Sequence, residues 1–275
     1  MDSYLVGLVG TGIAPSLSPA LHEREADLLG LRYLYRRLDL DELGLPPERI
    51  GDLLAAARLT GYDGLNITHP CKQLVLGHLD ELDPTAAALG AVNTVIFRDG
   101  KAIGHNTDVT GFARAMRTGL PDVPLHRVVL LGAGGAGAAC AHALDTAHLT
   151  VFDRDEARAA ALASRLGHRA ELGRSLPDAL ATADGLVHAT PTGMDAHPGL
   201  PLPDDLLDPR LWVADVVYRP LTTALVETAR ARGCRVLDGG RMAVFQAADA
   251  FRLFTGRTPD ADRMLRFFDT LEVCP

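Results

Sequence analysis

Of the 27 lysine and arginine side chains in this chain, only two, Lys72 and Lys101, are lysines. Lys72 lies in the stretch NITHPCKQ, residues 66–73. An amine can give up its proton, whereas a guanidinium stays charged at any working pH, so a lysine kept among arginines is a candidate for proton transfer. Pro70 reads as a helix starter, which places Lys72 in a first turn where a cation meets the like-signed end of the helix dipole. That field, with any burial, would favour loss of the proton. A solvated surface lysine is the plain alternative. Asp108, in GHNTDVTGF, could orient the amine and support its proton transfer. A cap or Asx-turn explains an isolated Asn or Asp equally well, and the same holds for Asn93 in LGAVNTV.

Two further groups carry chemistry. In TGIAPSLSPALH, Ser18 before Pro19 reads as a helix N-cap, and Ser16 adds a second hydroxyl at the positive end of that helix, a pairing suited to a small carboxylate. In LLGAGGAGAACAHAL, Gly132, Gly134 and Gly137 form G-x-G-x-x-G, with Ala133, Gly135 and Ala136 between them. The glycines would serve a tight turn, close backbone approach to a pyrophosphate, and helix-on-strand packing, with the phosphates at the helix N-terminus. Packing alone also produces such triplets. Asp153 follows Gly132 by 21 positions, where an acid accepts hydrogen bonds from ribose hydroxyls and repels a 2′-phosphate; this favours NAD over NADP. Arg154 beside it works against that preference, because an arginine can hold the phosphate.

The elements that must position these groups alternate. Strands are expected at 4–9, 33–39 and 64–67, with helices near 19–29, 46–59 and 70–79 between them, the pattern of a mostly parallel α/β sheet. A βαβ unit begins afresh at HRVVLLG near residue 126 and continues through LTVFD, GLVHAT, LWVADVV and CRVLDGG, before a helical C-terminus. The expected fold is therefore α/β with two domains. Residues 1–108, completed by C-terminal helices 243–275, form a mostly parallel substrate-binding and catalytic domain; residues 109–242 form a Rossmann-type dinucleotide-binding domain. The length of 275 residues fits this division. A net charge of -8 and a pI near 5.6 provide no field for a polyanion, so no nucleic-acid partner is expected. Four dispersed cysteines without zinc spacing predict no metal site and a reducing, cytoplasmic setting. No membrane association is expected, since the apolar start YLVGLVGTGI is too short to span a bilayer.

The blocks SLSP, NITHPCK, GAVNT, NTD, GAGGAG, ATPTGM, DVVY and RMAVFQAADAF, taken in order, resemble the shikimate and quinate dehydrogenase family over essentially the whole chain. The resemblance implies that Ser16 and Ser18 hold the substrate carboxylate with Tyr218 closing nearby, and that Thr68, Asn93 and Gln246 bind ring hydroxyls. It implies a catalytic Lys72–Asp108 pair in a cleft between the domains. It also implies dinucleotide contacts from residues 132–137, Asp153, Arg154 and the loop 189–194, including Thr190 and Pro191, with Gly240 and Met242 flanking the nicotinamide. Asp153-Arg154-Asp155 replaces the Asn-Arg-Thr usual in NADP-using members, His188 stands where asparagine is common, and DGGRMAVFQAADAFRLFTG is more like the NAD-using quinate/shikimate branch. The implied activity is NAD-linked oxidation of a ring hydroxyl of shikimate or quinate by a monomer or homodimer. The alternatives are an NADP-linked biosynthetic shikimate dehydrogenase, an aminoshikimate dehydrogenase, or a non-catalytic dinucleotide-sensing module.

Overall fold

The structure is a computed structural model that describes residues 2–145 and 147–272; Cys274 lies outside them. The chain divides into two compact units, residues 1–110 with 244–275, and residues 111–243.

The first unit runs β1 (Ser3–Gly10), α1 (Ser18–Leu28), β2 (Arg32–Asp39), α2 (Leu40–Leu43), α3 (Ile50–Leu59), β3 (Gly64–Ile67), α4 (Cys71–Leu74), β4 (Glu81–Leu82), α5 (Pro84–Leu89), β5 (Thr94–Arg98), β6 (Lys101–His105) and the start of α6 (Thr107–Gly119). Among the described residues its sheet has six strands in the order β2-β1-β3-β5-β6-β4. Pairs β1/β2, β1/β3 and β4/β6 are parallel, whereas β3/β5 and β5/β6 are antiparallel. The β5–β6 hairpin was not among the expected strands. Its local signal is Asp99-Gly100, both with positive φ (52° and 75°), the two-residue turn whose twist matches that of the flanking strands.

Helix boundaries follow local chemistry. Asp83 caps α5 by accepting from the Thr85 N–H, Pro84 occupies the first helical position, and Gly90 ends the helix at φ 66°. The expected cap at Ser18 is not made: Leu17 is the N-cap of α1 and no side chain caps it, so the Ser18 hydroxyl is not committed there. The expected helix over 70–79 is a four-residue α4 followed by a 3-10 turn over Val75–His78.

The sheet is covered on both faces, which explains the near-continuous apolar run of β1. Val9, Leu65 and Ile67 join Leu54 of α3 and Cys71 in one core, while Val6 and Leu8 join Tyr33, Phe251 and Phe254 in the other. Each fully buried Val or Leu side chain contributes roughly 1.5–3 kcal/mol.

The second unit runs β7 (Arg127–Leu131), α7 (Gly135–Ala143), β8 (His148–Phe152), α8 (Glu156–Leu166), β9 (Ala170–Leu172), α9 (Leu176–Thr182), β10 (Gly185–His188), β11 (Trp212–Asp215), α10 (Ala224–Ala231), β12 (Arg235–Leu237) and the first turn of α11 (Gly240–Thr255). The rest of α11 and α12 (Ala261–Glu272) belong to the first unit. The six described strands of the second sheet are all parallel, in the order β12-β11-β10-β7-β8-β9. This is the doubly wound order in which strand direction of winding reverses between β7 and β10, and ligands bind beyond the strand ends at such a switch point. No helix among the described residues is long and apolar enough to cross a membrane.

One core residue makes the first unit acid-sensitive. His22 is wholly buried among Tyr33, Tyr35, Phe251 and Phe254, with Nδ1 2.9 Å from the Tyr33 hydroxyl and no hydrogen-bond partner for Nε2. Burial pulls the imidazole down to about 3. Because the folded value lies below the unfolded one, the stability is fully present above pH 6.5 and is lost as pH falls from there toward 3, by up to ~1.4 kcal/mol per pH unit. Urea unfolding from pH 7 to pH 4 should therefore fall more steeply for the native chain than for His22→Phe. Parallel curves would refute this.

Candidate active site

The catalytic residues expected from the sequence meet at one edge of the first sheet. The ends of β1, β2 and β3 lie there because those strands are parallel, and β5 begins and β6 ends there because of the hairpin. The Lys72 Nζ donates to Asp108 Oδ2 at 2.5 Å, with the two side chains 19% and 7% exposed.

The surrounding bonds hold that pair in place. Asn93, 3% exposed, donates from Nδ2 to Asp108 Oδ1 and to the Thr107 hydroxyl, each at 3.0 Å. Its Oδ1 accepts from the Thr107 N–H at 2.8 Å and from the Thr94 hydroxyl at 3.0 Å. Asn106 Oδ1 accepts from the Asp108 N–H at 3.0 Å, the geometry of an N-cap for α6. Asp108 thus sits in the first turn of a 13-residue helix, where a negative charge is favoured by ~0.3–1 kcal/mol. The Lys72 loop is tied to the same frame by the Val92 N–H, which donates to the Lys72 carbonyl at 2.8 Å.

One expectation changes here. Helix α4 has only four residues and Lys72 lies in its single turn, so no extended helix dipole acts on the amine; its charge is instead matched by Asp108. Asn93, expected as a ring-hydroxyl ligand, donates to Asp108 and Thr107 within the chain and so positions Asp108. Cys71, beside the lysine, is packing: burial, then the nearby Glu48 charge, pushes its thiol up to about 11.

Of the other first-unit residues, Ser16 and Thr68 follow the ends of β1 and β3 at this edge. Ser16 is buried and its Oγ accepts from the Ser18 N–H at 3.3 Å. The loop that carries it is held by Asp39 at the end of β2, which accepts from the Gly12 and Ile13 N–H groups, and by Arg37, which donates to the Ser16 carbonyl at 2.9 Å. No local sequence pattern singles out Asp39, whose partners Gly12 and Ile13 lie 26–27 positions away. Thr68 is half-buried, its N–H bonded to the Val9 carbonyl. Gln246 is half-buried on α11 in the same unit.

In the second unit the glycine loop follows β7 at the switch point. Gly132 has φ 102°, and a Cβ there would lie 2.6 Å from the Ala189 carbonyl of the loop after β10. A Cβ on Gly137 would lie 1.9 Å from the Gly132 carbonyl, so only glycine allows α7 to start so close to the turn. A Cβ on Gly134 would meet no atom within 4 Å. No side chain caps α7, and the first N–H groups of a helix have no intrahelical acceptor, so its N-terminus fits a pyrophosphate. Asp153 lies just beyond β8; its Oδ2 accepts from the Ala133 N–H at 2.7 Å and its Oδ1 from the Asp155 N–H at 2.9 Å. Arg154 is exposed, and Asp155 is used as the cap of α8. Thr190 is half-buried and bonded to His188. Pro191 is exposed, Tyr218 is half-buried between β11 and α10, and Gly240 and Met242 are buried in the first turn of α11.

A dinucleotide-binding sheet joined in one chain to a lysine–carboxylate pair defines a nicotinamide-dependent oxidoreductase as the class. Residues 8–95 match the shikimate dehydrogenase substrate binding domain and residues 240–266 the shikimate 5′-dehydrogenase C-terminal domain. The chain is 66% identical over 274 residues to "Shikimate dehydrogenase (NADP(+))" of Streptomyces avermitilis, covering 96% of this chain and 94% of that one. It is 52% identical over 281 residues to "Quinate/shikimate dehydrogenase (NAD(+))" of Corynebacterium efficiens, covering 98% and 99%. A solved quinate dehydrogenase from Corynebacterium glutamicum in complex with NAD superimposes with a TM-score of 0.90 at 47% identity, covering 98% of this chain and 100% of that one. The chain belongs to the shikimate/quinate dehydrogenase family.

The loop glycines separate folding from binding. Gly137→Ala should displace the Gly132 turn and lower the melting temperature by several degrees, whereas Gly134→Ala should melt like the native chain yet bind NADH at least ~10-fold more weakly in a fluorescence titration. Native affinity in a folded Gly134→Ala protein would remove the phosphate role from that position.

Proposed function

We propose that this chain is an NAD-dependent quinate/shikimate dehydrogenase that interconverts a ring hydroxyl and the corresponding ketone. The observation that carries this reading is the Lys72–Asp108 pair at 2.5 Å, held on its far side by Asn93. A bound nicotinamide supplies the hydride donor or acceptor. The chain itself must supply and remove a proton.

In the reducing direction, the Lys72 ammonium donates a proton to the oxygen that gains negative charge as the ketone is reduced; in the oxidising direction the amine takes the hydroxyl proton back. Asp108 holds Nζ in place, and Asn93 with the Asn106 cap keeps the carboxylate from turning away. Ser16 and Ser18 are assigned to the substrate carboxylate, with Tyr218 as a further contact, and Thr68, Asn93 and Gln246 to ring hydroxyls. Residues 132–137, Asp153, Arg154, Thr190, Pro191, Gly240 and Met242 are assigned to the dinucleotide.

NAD is favoured because the Asp153 carboxylate is fixed beside the glycine loop by two N–H donors, so a 2′-phosphate would face a negative charge that cannot swing aside. A second reading, NADP-linked shikimate reduction, is favoured by the name of the relative at 66% identity and by the exposed Arg154. The buried thiols Cys71, Cys140 and Cys234 suit a reducing, cytoplasmic setting.

Lys72→Ala should lower kcat by ~100-fold or more with KM changed only a few-fold, since the proton transfer acts on charge that develops in the transition state. Turnover near the native kcat would remove the lysine from the mechanism. Steady-state kinetics with quinate or shikimate, each paired with NAD or NADP, should show kcat/KM at least ~10-fold higher with NAD, the effect of about 1.4 kcal/mol of repulsion. A preference for NADP with shikimate would establish the second reading instead.

A further inference from the structure

At the ends of β10 and β11 a buried polar chain runs through Thr190, His188, Asp215 and Thr223, and no step of the proposed reaction uses it. The side chains of His188 and Asp215 are 0% exposed. His188 Nδ1 lies 2.8 Å from Asp215 Oδ1, and Nε2 lies 2.5 Å from Thr190 Oγ1. Apolar side chains of similar volume would fill such a place at no loss of stability, so the arrangement calls for a reason beyond packing.

Proton positions along the chain follow by elimination. Thr223 Oγ1 accepts from the Val226 N–H at 3.1 Å, so its own proton is given to Asp215 Oδ2 at 2.7 Å. The Val217 N–H donates to Asp215 Oδ1 at 3.0 Å. A carboxylate that only accepts makes His188 Nδ1 a donor. With that single proton on the ring, Nε2 accepts and the Thr190 hydroxyl proton is committed to it. Thr190 Oγ1 already accepts from the Thr192 N–H at 3.3 Å, which leaves it one lone pair and nothing to donate.

We propose that His188 is a positioning residue that fixes the Thr190 hydroxyl as a hydrogen-bond acceptor, so that the loop after β10 takes a donor group of the dinucleotide, a ribose hydroxyl or the carboxamide amine, rather than a phosphate oxygen. Phosphate oxygens only accept, and would find no proton at Thr190. The proposal rests on the reading above in which the loop 189–194 contacts the dinucleotide. A Cβ on Gly132 would lie 2.6 Å from the Ala189 carbonyl, so the phosphate turn has no room for a side chain against this loop.

The experiment uses the full-length enzyme and its His188→Asn, His188→Gln and Thr190→Val variants, with melting temperatures recorded for each. The asparagine amide reaches only the Nδ1 position and keeps the Asp215 bond; the glutamine amide reaches the Nε2 position and can still accept the threonine proton. Loss of one neutral hydrogen bond should raise KM and Kd for NAD by ~5–10-fold in His188→Asn and in Thr190→Val, with kcat and the KM for shikimate or quinate within ~2-fold. His188→Gln should recover most of the affinity, and the His188→Asn/Thr190→Val double variant should bind no worse than the weaker single one, because both changes break the same chain. A 3-acetylpyridine analogue of NAD, which lacks the amide N–H groups, distinguishes the donors. If the partner is the carboxamide, its affinity is already low and the variants leave it unchanged; if it is a ribose hydroxyl, the variants weaken both dinucleotides equally. Unchanged NAD affinity in folded Thr190→Val and His188→Asn, or fully additive losses, overturns the proposal even if histidine variants melt lower. A native chain that binds neither NADH nor NADPH overturns the dinucleotide reading as well.

Discussion

The Asn93 amide is the joint on which the first unit's chemistry depends. It is buried at the start of β5, and one side chain binds backbone and hydroxyl of Thr107, the hydroxyl of Thr94 and the carboxylate of Asp108. A strand start and a helix start are thereby locked to each other through this group. A buried network is stabilising only when every member is satisfied, and this one is closed by Lys72 on one side and Asn106 on the other. The lysine therefore reaches Asp108 in one geometry rather than many, which is what proton transfer between fixed groups requires.

Carboxylates at strand ends are the recurring device. Asp39 after β2 holds the Gly12–Ile13 turn that carries Ser16. Asp153 after β8 holds the Ala133 N–H of the glycine loop, and Asp215 at the end of β11 holds His188 and the Val217 N–H. Loops at the carboxyl edge of a sheet carry the function but have few apolar contacts of their own. A carboxylate accepting backbone N–H bonds gives such a loop a fixed shape without a hydrophobic core. Within the glycine loop, positions 132 and 137 are required by close approach of backbone, whereas 134 faces open space.

Much of this was legible from residue order because the signals are local. Strand β3 was expected at 64–67 and is Gly64–Ile67, and the glycine loop with Asp153 follows from spacing along one βαβ unit. The missed pieces have physical causes. The β5–β6 hairpin interrupts an otherwise parallel pattern and is announced only by Asp99-Gly100. The helix after Pro70 was expected to run ten residues but breaks into a short turn and a 3-10 segment, so the field thought to act on Lys72 is replaced by an ion pair with a residue 36 positions away.

Residue types alone marked the candidate groups: a lysine kept among arginines, a glycine loop with an acid after the next strand, and a set of family blocks in unbroken order. Those depend on side-chain chemistry and short spacing, which the chain carries wherever it folds. Tertiary structure decided what each group does. It set Asn93 against Asp108 as its support, left Ser18 without a capping role, and buried His188 against Asp215. Such outcomes depend on which donors and acceptors from distant strands fall within about 3 Å of one another, and no local pattern encodes that distance.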